Sequence, residues 1–219
     1  MEETLQILQN HLPKALWDTF YMVGVSTLIG VLFGTLIGLL LFLANSPLFN
    51  RHELLHKIVS FLVNALRSLP FLILLVTLIP ILTLLIGDPY TPTGGAIALS
   101  VAAIPFYARV AESSFAEINS GVLEASVATG ATMMQIIRDV ILPESLPSLI
   151  RGLVLTIISL LGYSAMVGTI GAGGIGDLAI QYGYFRYETG ILVIIIVLLI
   201  VIVQIIQWLG DLFARHFTK

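Results

Sequence analysis

The 219-residue chain contains no cysteine, which excludes disulfides and thiolate chemistry outright. Charge is also scarce. Asp, Glu, Lys and Arg together make up 11% of the residues, less than half of the roughly 25% usual in soluble domains. A net charge of −3 argues against a nucleic-acid surface. The N-terminal stretch MEETLQILQN is acidic and amphipathic, without the basic start and small-residue cleavage site of a signal peptide. There is no Gly-Lys pair anywhere, hence no phosphate-binding loop, so ATP hydrolysis, if the function uses it, must reside in another polypeptide. What is abundant is apolar: 58% of residues are hydrophobic, and the mean hydropathy is +1.02. These residues fall in long runs, as membrane spans do. The composition is that of an all-α integral membrane protein.

Five runs qualify as spans in one domain covering residues 1–219. The first, Phe20–Ala44, is long enough to cross a bilayer at ~37 Å as a helix. The second, Ile58–Ile86, is too short for two crossings and contains Arg67, Pro70 and Pro80, which suggests one long, kinked helix. The others are Gly94–Val110, Leu149–Ile170 and Ile191–Trp208, with a loop over 111–148. Arg51, Lys57, Arg109, Arg138, Arg151, Arg215 and Lys219 fall on one side, against Lys14 and Arg186 on the other. By the positive-inside rule the N-terminus is outside and the C-terminus cytoplasmic. Five helices are few to enclose a solute pathway, and a two-fold homodimer would supply ten.

Several motifs need weighing. Ser26, Gly30, Gly34 and Gly38 recur every four residues and read as a stripe for close helix packing. Residues 171–176, GAGGIG, match the dinucleotide fingerprint by letter, but no strand precedes them and no acidic residue follows about 20 positions on. They read instead as irregular backbone against protein or a cavity, at a pathway mouth. His52-Glu53-Leu54-Leu55-His56 matches H-E-x-x-H, yet no third ligand is evident, and a solvated connection between Arg51 and Lys57 explains it equally well. Arg67 within the second run is either a pathway residue or an anchor that snorkels to the surface. Tyr182, Tyr184, Phe185 and Tyr187 form an interfacial aromatic belt or a docking surface for an external partner.

The cytoplasmic segment between the third and fourth spans is the least greasy. Ser120 is a candidate N-cap with Glu124 near the first turn of a short helix, and Gly130 suits its end. Thr132 and Gln135 form a capping box opening a second helix, which Pro143 should stop. An amphipathic hairpin on the membrane surface is the bland alternative.

These residues carry a resemblance. Glu124-Ala125-Ser126, then Gly130, then Val140 and Leu142-Pro143 resemble the EAA loop of ABC-importer permeases, departing only in Ser126 and Val140. ALRSLPFLILLV (65–76) and GYSAMVGTIGAGGIGDLAIQYGY (162–184) resemble the methionine-uptake branch of that family. The resemblance implies a type I importer fold, five transmembrane helices per subunit and a homodimer in the bacterial inner membrane. It implies two ATP-binding subunits on the cytoplasmic face, holding ATP and Mg while this chain holds no cofactor or metal, and a methionine-binding protein outside. It places the ATPase contact at Glu124, Ala125, Ser126, Gly130, Ala131, Thr132 and Met133. It makes Tyr163, Ser164 and Met166, with Arg67, candidates for the gate.

Other readings stand beside a methionine permease. One is an ABC permease for another amino acid or small solute. From different classes come an intramembrane zinc protease using His52, Glu53 and His56, and an autonomous channel.

Overall fold

The computed structural model describes residues 2–49 and 51–217, and among them every regular element is helical. The elements are α1 (Glu2–Asn45), α2 (Glu53–Ser68), α3 (Phe71–Ile86), α4 (Pro92–Ala116), α5 (Ser120–Ala128), α6 (Met133–Gln135), α7 (Leu142–Thr169), α8 (Gly174–Leu178) and α9 (Thr189–Phe217). Short π-helical stretches, Ile136–Ile141 and Ala179–Tyr184, join α6 to α7 and extend α8. Among the described residues, four helices are long and apolar enough to cross a membrane, or five if α2 and α3 form one broken span.

The glycine stripe on α1 found its partner in α4. A Cβ at Gly30 would lie 2.6 Å from that of Ala103, and one at Gly34 would lie 2.9 Å from that of Tyr107. At Gly38 it would meet the Ala108 carbonyl oxygen at 2.6 Å. Hydrogen in place of a methyl group lets the two backbones touch, which is what small residues do between membrane helices. Around this pair, Met22, Phe71, Leu75, Leu99, Leu160 and Val167 join α1, α3, α4 and α7 in one buried cluster. Leu8, Ala15, Ile175, Leu178, Ile191 and Ile195 close the end that carries α8. Tyr107, Phe115, Leu123, Ile136, Ile141 and Leu149 close the end that carries α5. By contrast α9 buries only Ile191, Ile195, Gly210 and Ala214 and leaves Val193, Ile196, Val197 and Ile200 exposed. A helix this apolar all round belongs against lipid or another subunit.

The boundaries differ from the sequence expectation in instructive ways. The helix that contains the expected span Phe20–Ala44 extends N-terminally to Glu2, and Leu8 and Ala15 bury one face of these added turns against α8 and α9. The second run is not one kinked helix: α2 and α3 meet at 102°. Pro70 forces Leu69 into extended backbone (φ −77°, ψ 127°) and then opens α3 as its N-cap. Pro80 sits inside α3 without ending it. The helices that contain the third and fifth expected spans are Pro92–Ala116 and Thr189–Phe217.

Pro143 does not stop the helix that begins after Thr132. The chain stays helical from Met133 to Thr169. The π stretch makes this possible: Leu142 donates its amide to the Ile137 carbonyl, five residues back. That shift of register precedes Pro143, which then occupies the first turn of α7, where its missing N–H costs least.

Candidate functional site

The site begins with how α5 is made. Asn119 caps it, accepting a hydrogen bond from the Gly121 amide on Oδ1 at 2.8 Å. Ser120 is therefore the first helical residue and not the cap, and Glu124 lies one turn in, outside the first turn. Leu123, 5% exposed, anchors the helix in the cluster with Phe115 and Ile136. The opposite side presents Val122, Glu124, Ala125 and Thr129 to the exterior, with Ser126 half-buried. Glu124 has no salt bridge among the described residues, so its charge is free for another chain.

The end of α5 is a complete glycine-terminated motif. Gly130, at φ +77°, donates to the Val127 carbonyl at 3.0 Å, and Ala131 donates to the Ser126 carbonyl at 3.3 Å. These two bonds satisfy carbonyls that a helix end otherwise leaves orphaned. Thr132 then opens α6 with a full capping box. The Gln135 amide donates to Thr132 Oγ1 at 3.4 Å, and the Thr132 amide donates to Gln135 Oε1 at 2.8 Å. The ten residues 126–135 thus hold a sharp helix–turn–helix by their own hydrogen bonds. Two shallow hollows flank it, of about 520 Å³ beside Val122, Ala125 and Thr129 and about 450 Å³ beside Gly130, Ala131 and Gln135. Met133 and Met134, 41% and 71% exposed, add adaptable apolar contact area. The turn therefore presents a ridge of small residues with exposed thioethers beside it.

Residues 30–219 match the family of binding-protein-dependent transport system inner membrane components. The chain belongs to that family. It is a permease subunit of an ABC importer, a transport component of the inner membrane and not an enzyme, with ATP hydrolysis in a separate chain. It is 41% identical over 204 residues to a probable D-methionine transport system permease protein of Vibrio cholerae, covering 93% of this chain and 91% of that protein. It is 37% identical over 206 residues to the methionine import system permease protein of Bacillus subtilis, covering 94% and 93% respectively. In three dimensions it resembles an inward-facing MetNI methionine ABC transporter structure, with TM-score 0.93, 39% identity and complete coverage of both chains.

The gate candidates of this permease lie on two helices, Arg67 on α2 and Tyr163, Ser164 and Met166 on α7. Arg67, exposed in the last turn of α2, places Cζ 5.8 Å from the Phe106 ring centre on α4. Tyr163 stacks on Phe71 of α3 at 4.7 Å and 10° between planes. Met166 is 41% exposed. Ser164 is 3% exposed and donates its hydroxyl to the Leu161 carbonyl at 2.7 Å.

At the opposite end, the GAGGIG stretch is irregular as its glycines suggested, with Gly171, Gly173 and Gly174 all at positive φ. It packs on protein: a Cβ at Gly176 would meet Ala165 Cα at 2.4 Å, and the Ile175 amide donates to Thr19 Oγ1 at 2.8 Å. A polar pocket of about 500 Å³ opens beside it, lined by Lys14, Asp18, Asp177 and Arg186 among others. Burial pushes the Asp177 carboxyl above its ordinary pKa, with Asp18 adding to the rise and Gln181 and Lys14 opposing it. The loop aromatics divide. Tyr182 turns in against His11, 3.0 Å between hydroxyl and ring nitrogen, while Tyr184, Phe185 and Tyr187 stay exposed.

The H-E-x-x-H match does not assemble a metal site. Glu53 lies between Arg51 and Lys57, at 3.4 and 3.7 Å, whereas His56 faces Glu112 on α4. No group of three potential ligands occurs among the described residues. The sequence reading missed Leu123 and Asn119. Asn ahead of Ser-Gly was a visible cap signal, but Leu123 was one apolar residue among many.

Proposed function

We propose that this permease imports methionine as a homodimer driven by two separate ATP-binding subunits, which hold the ATP and Mg. They seat on the α5–Gly130–α6 turn at the cytoplasmic face. A binding protein delivers methionine at the α8 end, which faces outward together with the N-terminus. The positive-inside distribution of Lys and Arg supports that orientation.

The observation that carries the reading is the doubly capped turn, exposed at the end of a chain that resembles methionine permeases along its length. Its geometry suggests how force is passed on. α6, the π stretch and α7 form one uninterrupted helical segment from Met133 to Thr169. Tyr163 lies 31 residues beyond Thr132, which is about 45 Å along a helix. Closure of the ATPase pair displaces the turn, and the segment carries that displacement to the region of Tyr163 and Met166. There the pathway switches between inward- and outward-facing states, each favoured by the nucleotide state that binds it better. Met166 suits a closure because a flexible thioether fills irregular gaps.

Uptake of radiolabelled L- and D-methionine decides the cargo. Deletion of the gene abolishes uptake and reintroduction restores it. Undiminished methionine uptake in the deletion strain, with loss of another amino acid's uptake, contradicts the assignment.

A further inference from the structure

One polar network lies apart from the turn. On α2, His56, Ser60 and Asn64 recur every four residues and so share one face. On α4, Arg109 and Glu112 are one turn apart and look toward that face. Arg109 Nε donates to Asn64 Oδ1 at 3.2 Å, and Nη2 donates to the Ser60 carbonyl at 3.1 Å and to the Ser60 hydroxyl. Nη1 donates to Glu112 Oε2 at 2.6 Å. The other Glu112 oxygen lies 3.5 Å from His56 Nε2, an approach without a hydrogen bond. The Arg109 and Glu112 side chains are only 20% and 17% exposed. All three guanidinium nitrogens are engaged, and one holds the backbone of α2 itself, so the contact fixes the helix and not just a side chain.

Little else holds α2. Its one buried residue is Val63, which packs with Val59, Ile37, Leu41 and Ala108. Yet α2 leads through the 102° break into α3, whose first residue, Phe71, stacks on Tyr163. Arg109 in turn stands seven residues before the end of α4, and only Glu117, Ile118 and Asn119 separate α4 from α5.

We propose that Arg109 is a positioning residue that latches α2 to α4, so that displacement of the α5 turn also swings the α2–α3 elbow. This rests on the coupling role proposed above and adds a second route to the gate besides α7. An arginine suits the task better than a lysine, because its planar fork holds several fixed acceptors at once.

The test uses the full complex of permease, ATPase and binding protein in proteoliposomes, reading methionine transported per ATP hydrolysed. Arg109→Gln is expected to keep ATPase subunits bound and hydrolysing while this ratio falls at least about fivefold, the lower end of typical coupling energies. The Ser60→Ala/Asn64→Ala double variant, which leaves Arg109 and Glu112 intact, should reproduce the fall. It also provides the answer if Arg109→Gln does not fold. An unchanged ratio overturns the proposal. So does a loss of assembly and hydrolysis in step with transport in the double variant, since that marks a purely structural contact. If the wild-type complex moves another solute instead, the cargo assignment fails, and the same ratio is read with that solute.

Discussion

Ala131 donates its amide to the Ser126 carbonyl at 3.3 Å, and the bond closes only because Gly130 between them adopts φ +77°. No atom lies within 4 Å of where a Gly130 side chain would begin, so space is not the constraint there. Conformation is. Gly130→Val should therefore cost about 1–2 kcal/mol locally, the penalty of left-handed backbone for a residue with a Cβ. The variant is expected to fold, with its far-ultraviolet circular dichroism intact, but to retain the ATPase poorly on co-purification.

Gly38 represents the opposite case. Its φ is ordinary, but a side chain would run into the Ala108 carbonyl and Ala111. Gly38→Leu should separate α1 from α4 and destabilise the permease by about 1–3 kcal/mol or more, as overpacking does. Gly24→Ala, where nothing lies within 4 Å, should be harmless or stabilise by up to about 1 kcal/mol, since alanine is the better helix former. Melting of the detergent-solubilised permease distinguishes the two.

Leu123 anchors α5. Leu123→Ala removes a 5%-exposed side chain and should cost about 2–5 kcal/mol where the site does not collapse. Because α5 sits on the rim of its cluster, loss should appear first as faster proteolysis between residues 117 and 135. Global melting should follow at higher temperature.

The raised Asp177 pKa predicts a pH dependence of defined sign. A carboxyl whose folded pKa lies above its unfolded value favours folding while protonated. That stability is lost as pH rises through the interval between the two values. Asp177→Asn removes the titration. The variant should match the wild type in acid and melt higher above that interval, with the difference growing as pH rises from the ordinary carboxyl range through the raised folded value. A constant difference would mean that burial and the Asp18 charge do not act on this group.

Much of the fold was legible because its signals are local or periodic. The Ser26–Gly38 stripe, the Thr132–Gln135 box and the Gly130 turn each depend on a few neighbouring residues. What was not legible depends on partners distant in sequence. Pro70 announced a bend, but a 102° elbow requires Phe71 to find Tyr163. Pro143 announced a stop, yet the π register at Ile136–Ile141 carried the helix past it. The Arg109 network escaped notice because its acceptors on α2, Asn64 and Ser60, lie 45 and 49 positions earlier on another helix.

Co-purification of the ATPase with an Ala125→Tyr permease tests the coupling role most directly. Ala125 is exposed on the outward side of α5, so tyrosine there disturbs no internal contact and only obstructs entry into a groove. The expected result is wild-type yield and melting temperature with ATPase retention reduced at least about tenfold, equivalent to about 1.4 kcal/mol. Full retention of the ATPase by both Ala125→Tyr and Gly130→Val, with transport intact, would contradict the assignment of this turn.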